Sequence, residues 1–318
     1  MLRYLVHRVT EAALVLLLMS FVIYGLLGLM PGDPIDLMAS GDPNITSEDI
    51  ARLKAVYGLD RPLVERYGRW LGAAMQGELG YSRVHARPVV EVLLPRLANT
   101  CLLMGLSFLL ALLIALPAGV LAALRPRSML DYGLNLLAFA GISLPSFWLA
   151  LLLILLFSVE LGWLPAGGVQ SVGRGDLADR LAHLVLPVLT LTLLTAGGLI
   201  RFTRSAMLET LRQDYIRTAR AKGLGTFGVV WGHALRNAMI PVVTVLALNF
   251  GALFSGALIV ETMFAYLGMG KLIYDSIMGN DFNLALVGLL FATLLTLASN
   301  LGADVVYAWL DPRISYEQ

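Results

Sequence analysis

Six stretches of this chain carry no Asp, Glu, Lys or Arg and are long enough to cross a bilayer: Ala12–Gly32, Leu97–Leu124, Tyr132–Val159, Leu181–Ile200, Asn237–Val260 and Phe282–Ala303. About 20 helical residues at 1.5 Å rise cover a hydrocarbon core about 30 Å thick. One charge at the centre of such a helix costs about 2.5–3.5 kcal/mol on insertion scales, so charge-free runs are the ones that insert. The fourth run is the shortest and contains His183 and Pro187. The first exceeds the usual 7–15 apolar residues of a signal peptide, has no small-x-small site after it, and reads as a retained signal anchor.

Composition agrees. The chain is 58% hydrophobic and 14% charged, against about 25% charged for an average soluble domain, and its mean hydropathy is +0.77. A soluble domain of this size has too little interior for that much apolar surface. The expected fold is therefore all-α: a polytopic membrane protein of about six transmembrane helices. The single cysteine, Cys101, excludes an internal disulfide and a multi-cysteine metal site. His7, His85, His183 and His233 are scattered, and no metal-protease motif or paired-carboxylate constellation occurs, so no catalytic residue is expected. A metal site is not expected either.

Basic residues orient the spans. Arg3 and Arg8 precede the first, and Arg125 and Arg127 follow the second. Arg201, Arg204, Arg212, Arg217, Arg220, Lys222 and Arg236 lie between the fourth and fifth, against only Glu209 and Asp214. The positive-inside rule then places both termini and this loop in the cytoplasm. The chain divides into an N-terminal segment with the first span (1–32), an extracytoplasmic helical loop (33–96), and a five-helix part (97–318) that contains the cytoplasmic loop 201–240.

The external loop has helical signals. Thr46 with Asp49 forms a capping box, Ile50, Leu53 and Tyr57 share a face, and Gly58 ends that helix. Pro62 opens a second, whose stripe is Leu63, Tyr67, Trp70 and Leu71 before Gly77. Such helices pack against the spans or offer a docking surface.

The cytoplasmic loop is too apolar for a solvated linker and too charged for a span. Leu208, Leu211, Tyr215 and Ala219 share a helical face. Gly223 after Arg220 and Lys222 marks a helix end. Thr226 is placed to cap a second short helix through Phe227, Val230, Trp231 and Leu235. The expectation is helix, glycine break, helix. In the third span, Pro145 lies between Ser143 and Ser146. A proline there frees backbone carbonyls, so the segment is either a structural kink or part of a solute path. Gly223, Gly225 and Gly228 match GxGxxG without a preceding strand, which fails the dinucleotide context. Gly270-Lys271 lacks the first glycine and the Ser/Thr of a P-loop, so no ATP site is expected. Glu11, Glu261 and Asp304 stand at span ends and read as anchors.

The loop resembles the cytoplasmic EAA loop of ABC importer permeases, and more narrowly the dipeptide, oligopeptide and nickel group. Aligned on Gly223, Arg217-Thr218-Ala219 take the Glu-Ala-Ala places, and His233, Leu235 and Arg236 the Ile, Leu and Pro places. Only Ala219, Gly223 and Leu235 match the general form. The peptide-group form matches almost throughout Arg217, Thr218, Ala219, Arg220, Ala221, Lys222, Gly223 and Leu224, and again from His233 to Asn237. Pro31-Gly32-Asp33-Pro34, Tyr57 to Leu63, Ser143 to Trp148, Leu161 to Pro165 and Leu310 to Arg313 are also similar to that group. The resemblance implies a permease subunit of an ATP-driven importer for peptide-like solutes, or for nickel, glutathione or oligosaccharides. It further implies a second homologous permease subunit, two cytoplasmic ATPase subunits that hold the ATP and magnesium, an extracytoplasmic solute-binding protein and membrane lipid, with no nucleic acid. It makes the loop a coupling helix seated in an ATPase groove, which the small Ala219 lets approach closely. A secondary transporter or channel is the alternative class. It would carry midplane ionisable groups or inverted repeats.

Overall fold

A computed structural model of the chain describes residues 2–29, 46, 48, 49, 52 and 61–310, except the side chains of 2–5, 244, 247–256, 303, 304 and 306–310. The expected helix 50–58, the Pro31–Pro34 turn and the terminal Asp311–Arg313 lie outside the described residues.

The helices in chain order are α1 (Leu2–Gly28) and α2 (Leu63–Met75), then α3 (Val89–Leu124), α4 (Met129–Ser143) and α5 (Ser146–Leu153). After them come α6 (Leu177–Leu211), α7 (Asp214–Ala221), α8 (Thr226–Val229), α9 (Leu235–Met263), α10 (Met269–Met278) and α11 (Phe282–Leu310). Wide π turns extend α5 over Ile154–Glu160 and join α8 to α9 over Val230–Ala234. A two-stranded antiparallel hairpin, β1 (Tyr81–Ser82) and β2 (Arg87–Pro88), precedes α3. Among the described residues, Val6–Gly28, Val89–Leu124, Leu177–Leu211 and Phe282–Gly302 are each long and apolar enough to cross a membrane, and the bent pair α4–α5 makes up to five. The expected run Asn237–Val260 lies in α9, 29 residues long, part of whose side chains are outside the description.

The expected break at Pro145 is present. The chain turns by 106° between α4 and the helix from Ser146 to Glu160, with Pro145 in extended conformation as the residue that opens α5. Its fixed φ and missing N–H favour this position and disfavour a helix interior. Pro187, by contrast, lies inside α6 and is buried.

The chain forms two compact units. In the unit of Asn99–Leu267, joined by the chain from Thr296, α6 is the central element, packed on α4 and α9. Its interior is built from small residues as much as large ones: Ala111, Ala115, Ala138, Ala196 and Ala234 sit beside Leu199 and Met207. A Cβ on Gly197 would stand 2.4 Å from the Ala138 carbonyl oxygen, and one on Gly141 would stand 2.6 Å from that of Leu193. Helices α4 and α6 thus cross backbone to backbone, the close packing that small residues permit when lipid removes the hydrophobic drive between helices. A second cluster joins Leu103, Leu149, Leu153, Leu186, Val260 and Phe264.

In the unit of Leu2–Ala98 and Gly268–Leu295, α2 packs on α1 through aromatic side chains. The Tyr67 ring meets Phe21 edge-on at 5.1 Å and Tyr24 at 5.7 Å, and its hydroxyl is 2.7 Å from that of Ser20. Of the two alternatives for the helix that Pro62 opens, packing against a span is the one observed. Buried Asp281 fastens the hairpin: its carboxylate accepts from the Ser82 hydroxyl at 2.5 Å and the Val84 N–H at 3.1 Å. Both arms of the Thr46–Asp49 box are formed, with Thr46 N–H donating to Asp49 Oδ2 at 3.0 Å and Asp49 N–H to Thr46 Oγ1 at 3.3 Å. These bonds hold the exposed Asp49 carboxyl below its ordinary range.

Candidate functional site

The loop between α6 and α9 follows the expected helix, glycine break, helix, with two corrections. First, α6 does not end near Ile200 but continues to Leu211. Arg201–Leu211 contains no Gly or Pro, and Thr203, Ala206, Met207 and Thr210 carry the buried face onward. The chain turns instead at Arg212–Gln213, so Leu208 and Leu211 belong to one helix and Tyr215 and Ala219 to the next. Second, Thr226 is not the cap of the second helix. Gly225 occupies that position, with no side-chain cap bond.

Helix α7 presents Arg217, Thr218, Arg220 and Ala221 to the outside. Its inner face is Ile216, fully buried, and Ala219, 6% exposed, which pack with Met207, Val229, Val230 and Ala234. The small Ala219 therefore fits into the chain's own core. The helix ends in a Schellman arrangement. Gly223 N–H donates to the Arg220 carbonyl at 2.9 Å and Leu224 N–H to that of Ala219 at 3.3 Å, with Gly223 at φ +81°. No atom lies within 4 Å of where a Gly223 Cβ would stand, so backbone conformation and not space requires glycine there.

Beyond the turn, Leu224, Phe227 and Trp231 are exposed, Phe227 by 76% and Trp231 by 59%, with the two rings 5.9 Å apart. His233 and Lys222 are exposed as well, and Leu235 is half-buried where α9 begins. Partial burial raises the Tyr215 phenol above its usual value, against an opposing interaction with the Asn237 side chain. The loop thus offers a rigid, capped helix flanked by apolar rings and cations.

An ion pair anticipated by no motif supports this loop. The Arg204 guanidinium donates to buried Asp131 from Nε at 2.6 Å and from Nη2 at 2.8 Å. Asp131 also accepts from Asn135 Nδ2 at 2.7 Å and the Arg127 N–H at 2.9 Å. Arg201 stacks over Phe139, 4.2 Å from the ring centre. The available signal was that Asp131 and Arg204 bracket two neighbouring uncharged runs with opposite charge. At the other end of α9, Glu261 is fully buried and accepts from Thr100 Oγ1 at 2.5 Å. The neighbouring Tyr266 phenol is pushed up to about 12, by burial first and the Glu261 charge second. Ser143, Pro145 and Ser146 gather at the α4–α5 break, with Ser143 and Pro145 exposed.

Long apolar helices, one sharply broken, and a short capped helix between two of them define a polytopic membrane protein. The particular family follows from sequence comparison: the chain belongs to the binding-protein-dependent transport system inner membrane components, matched over residues 115–316, with the N-terminal part of such components matched over residues 1–104. It is 41% identical over 315 residues to the oligopeptide transport system permease protein AppB of Bacillus subtilis (strain 168), covering 98% of this chain and 99% of that one. It is 38% identical over 321 residues to the di/tripeptide transport system permease protein DppB of Pseudomonas aeruginosa (strain UCBPP-PA14), covering 94% of each. Among solved structures, a chain of the inward-facing MetNI methionine ABC transporter aligns with a TM-score of 0.59 at 19% identity, over 70% of this chain and 98% of that one. A chain of an amino acid ABC transporter crystallised with histidines aligns with a TM-score of 0.56 at 13% identity, over 69% and 94%. At those identities the likeness is one of fold. The chain is a multi-pass inner-membrane permease component of an ABC import system, which sets aside the secondary transporter and channel.

Proposed function

We propose that this chain is one of a pair of permease subunits that import peptide-like solutes, received from an extracytoplasmic binding protein and driven by two cytoplasmic ATPase subunits. ATP and magnesium belong to those subunits, and this chain turns over no ATP itself. Both termini and the α6–α9 loop face the cytoplasm. Helix α7 is the coupling element, with Arg217, Thr218, Arg220, Ala221 and Lys222 offered to the ATPase. Gly223 terminates the helix, and Leu224 and His233 continue the exposed surface. Ala219 and Leu235 fix the helix to its own chain. The broken span at Ser143, Pro145 and Ser146 borders the solute path.

The observation that carries this reading is the rigid capped α7 beside exposed Phe227 and Trp231. Contiguous exposed apolar surface at a membrane edge, rimmed by cations, marks a protein-docking surface. A rigid helix there passes a rigid-body movement into the spans it joins. Peptide as cargo is supported by likeness to peptide permeases over nearly the whole chain. The test is to purify the tagged chain with its co-isolated ATPase and binding protein, identify the ligand on the binding protein, and measure ATP-driven uptake in proteoliposomes. Peptide ligand and uptake dependent on this chain are expected. A nickel, glutathione or oligosaccharide ligand overturns the peptide assignment, and uptake without ATP overturns the coupling role.

A further inference from the structure

The end of the Asn99–Leu267 unit that carries α7 also holds a cavity of about 1270 Å³. Five arginines line it, Arg125, Arg127, Arg204, Arg212 and Arg220, together with leucines of α3 and α6 and no Asp or Glu. Arg204 is neutralised by Asp131. Among the described residues, the other four arginines make no ion pair; Arg220 lies on the α7 face offered to the ATPase, which leaves Arg125, Arg127 and Arg212 to the cavity alone. Arg127 occupies φ +62°, a conformation glycine or asparagine adopts more easily. Three guanidinium groups, all on exposed residues, border one cavity with no carboxylate in its lining, and an anion placed among them is attracted by their combined charge. A phosphate suits them best, because the planar guanidinium donates to its oxygens in pairs.

From this geometry we infer that the cavity is a binding site for a phosphate-bearing anion, the headgroup of an anionic phospholipid. The lining chooses the lipid over free phosphate. The cavity opens at the ends of two spans, and Leu121, Leu124, Leu208 and Leu211 form an apolar wall that takes the glycerol and upper acyl chain while the arginines take the phosphate. Basic pockets between spans on the cytoplasmic side are the setting in which acidic lipid headgroups bind. The assignment rests on the cytoplasmic placement of the loop proposed above.

The test reconstitutes the complete transport complex in phosphatidylcholine vesicles with and without phosphatidylglycerol. It compares wild type with Arg125→Gln/Arg127→Gln/Arg212→Gln, which leaves Asp131, Arg204 and α7 intact. Native mass spectrometry of the purified chain counts retained phosphatidylglycerol independently of transport, so failure of the import reading leaves this readout standing. The triple variant should retain phosphatidylglycerol roughly a hundredfold more weakly, which corresponds to about 1 kcal/mol for each arginine. Its uptake should match wild type in phosphatidylcholine alone and fall below it when phosphatidylglycerol is present. Equal retention by both proteins overturns the site. Displacement of the lipid by millimolar inorganic phosphate with no loss of uptake assigns the cavity to the free anion instead. Loss of ATPase co-purification in the triple variant assigns it to the subunit interface.

Discussion

Arg204 grips Asp131 with two nitrogens at 2.6 and 2.8 Å, and so fastens the last part of α6 to the first turn of α4. The helix so held leads directly into α7. The Asp131 side chain is only 3% exposed and that of Arg204 25%, so removing one partner leaves a largely desolvated charge.

Asp131→Asn should therefore destabilise the purified chain in detergent by about 3 kcal/mol, since breaking a buried pair strands its partner. Arg204→Gln should cost at least as much, because it strands the more deeply buried Asp131, and the double variant less than the sum. A double-mutant cycle on thermal unfolding should give a coupling of about 1–3 kcal/mol. Additive losses would mean that the pair is not a structural unit.

At Gly223 the constraint is φ +81° with open space around it. Gly223→Asn should retain most uptake, because asparagine visits the left-handed region. Gly223→Val should lose it at near-normal membrane abundance, with a local cost of about 1–3 kcal/mol. Membrane abundance, ATPase co-purification and uptake are measured for each. Normal uptake by the valine variant at wild-type ATPase binding would remove α7 from the coupling path.

Opposite faces of the loop should fail differently. Ala219→Arg drives a charge into the cluster of Ile216, Met207 and Val230 and should lower the chain's abundance. Phe227→Ala with Trp231→Ala removes exposed rings, and should leave abundance unchanged while weakening ATPase co-purification about tenfold or more, as loss of buried aromatic anchors does. Loss of abundance in the ring variant would place those rings in the fold and not at an interface.

Tyr266 supplies a pH signature. Its phenol titrates at about 12 in the folded chain and near 10 when unfolded, so folding favours the neutral form. That contribution is complete below about pH 10 and is lost as pH rises toward 12. The unfolding temperature of wild type should fall over that interval more steeply than that of Tyr266→Phe. Parallel curves for the two proteins would show that this phenol is not the group responsible.

What was legible in the sequence was what is local. Pro145 breaks a span because of its own ring, Pro62 opens α2, and Gly223 closes α7. Each effect acts within one turn of chain. What was not legible depended on neighbours. Asp131 and Arg204 are separated by 73 positions, and pairing them requires knowing that α4 and α6 pack together. Periodicity placed Ala219 on a face but did not say that this face lies against Val229 and Val230. Charge does not report the extent of α6, because Arg201 and Arg204 end only the apolar run and not the helix. Thr226 yielded the cap to Gly225, whose conformation no pattern of side chains reports.

The crossing of α4 and α6 at Gly141 and Gly197 has a mechanical consequence. Helix α6 is one rod of 35 residues, pressed at Gly197 against the Ala138 carbonyl. At 1.5 Å per residue, about 21 Å of it lies between that crossing and the α7 end, and about 30 Å lies on the other side. The backbone crossing is a fulcrum with unequal arms. A tilt that moves the short arm by a given distance moves the long arm roughly 1.4 times as far, by the ratio of those lengths. Were α6 to tilt about that crossing as a rigid body, with Pro187 inside its long arm, a small movement at α7 would reach the opposite end enlarged and reversed in direction.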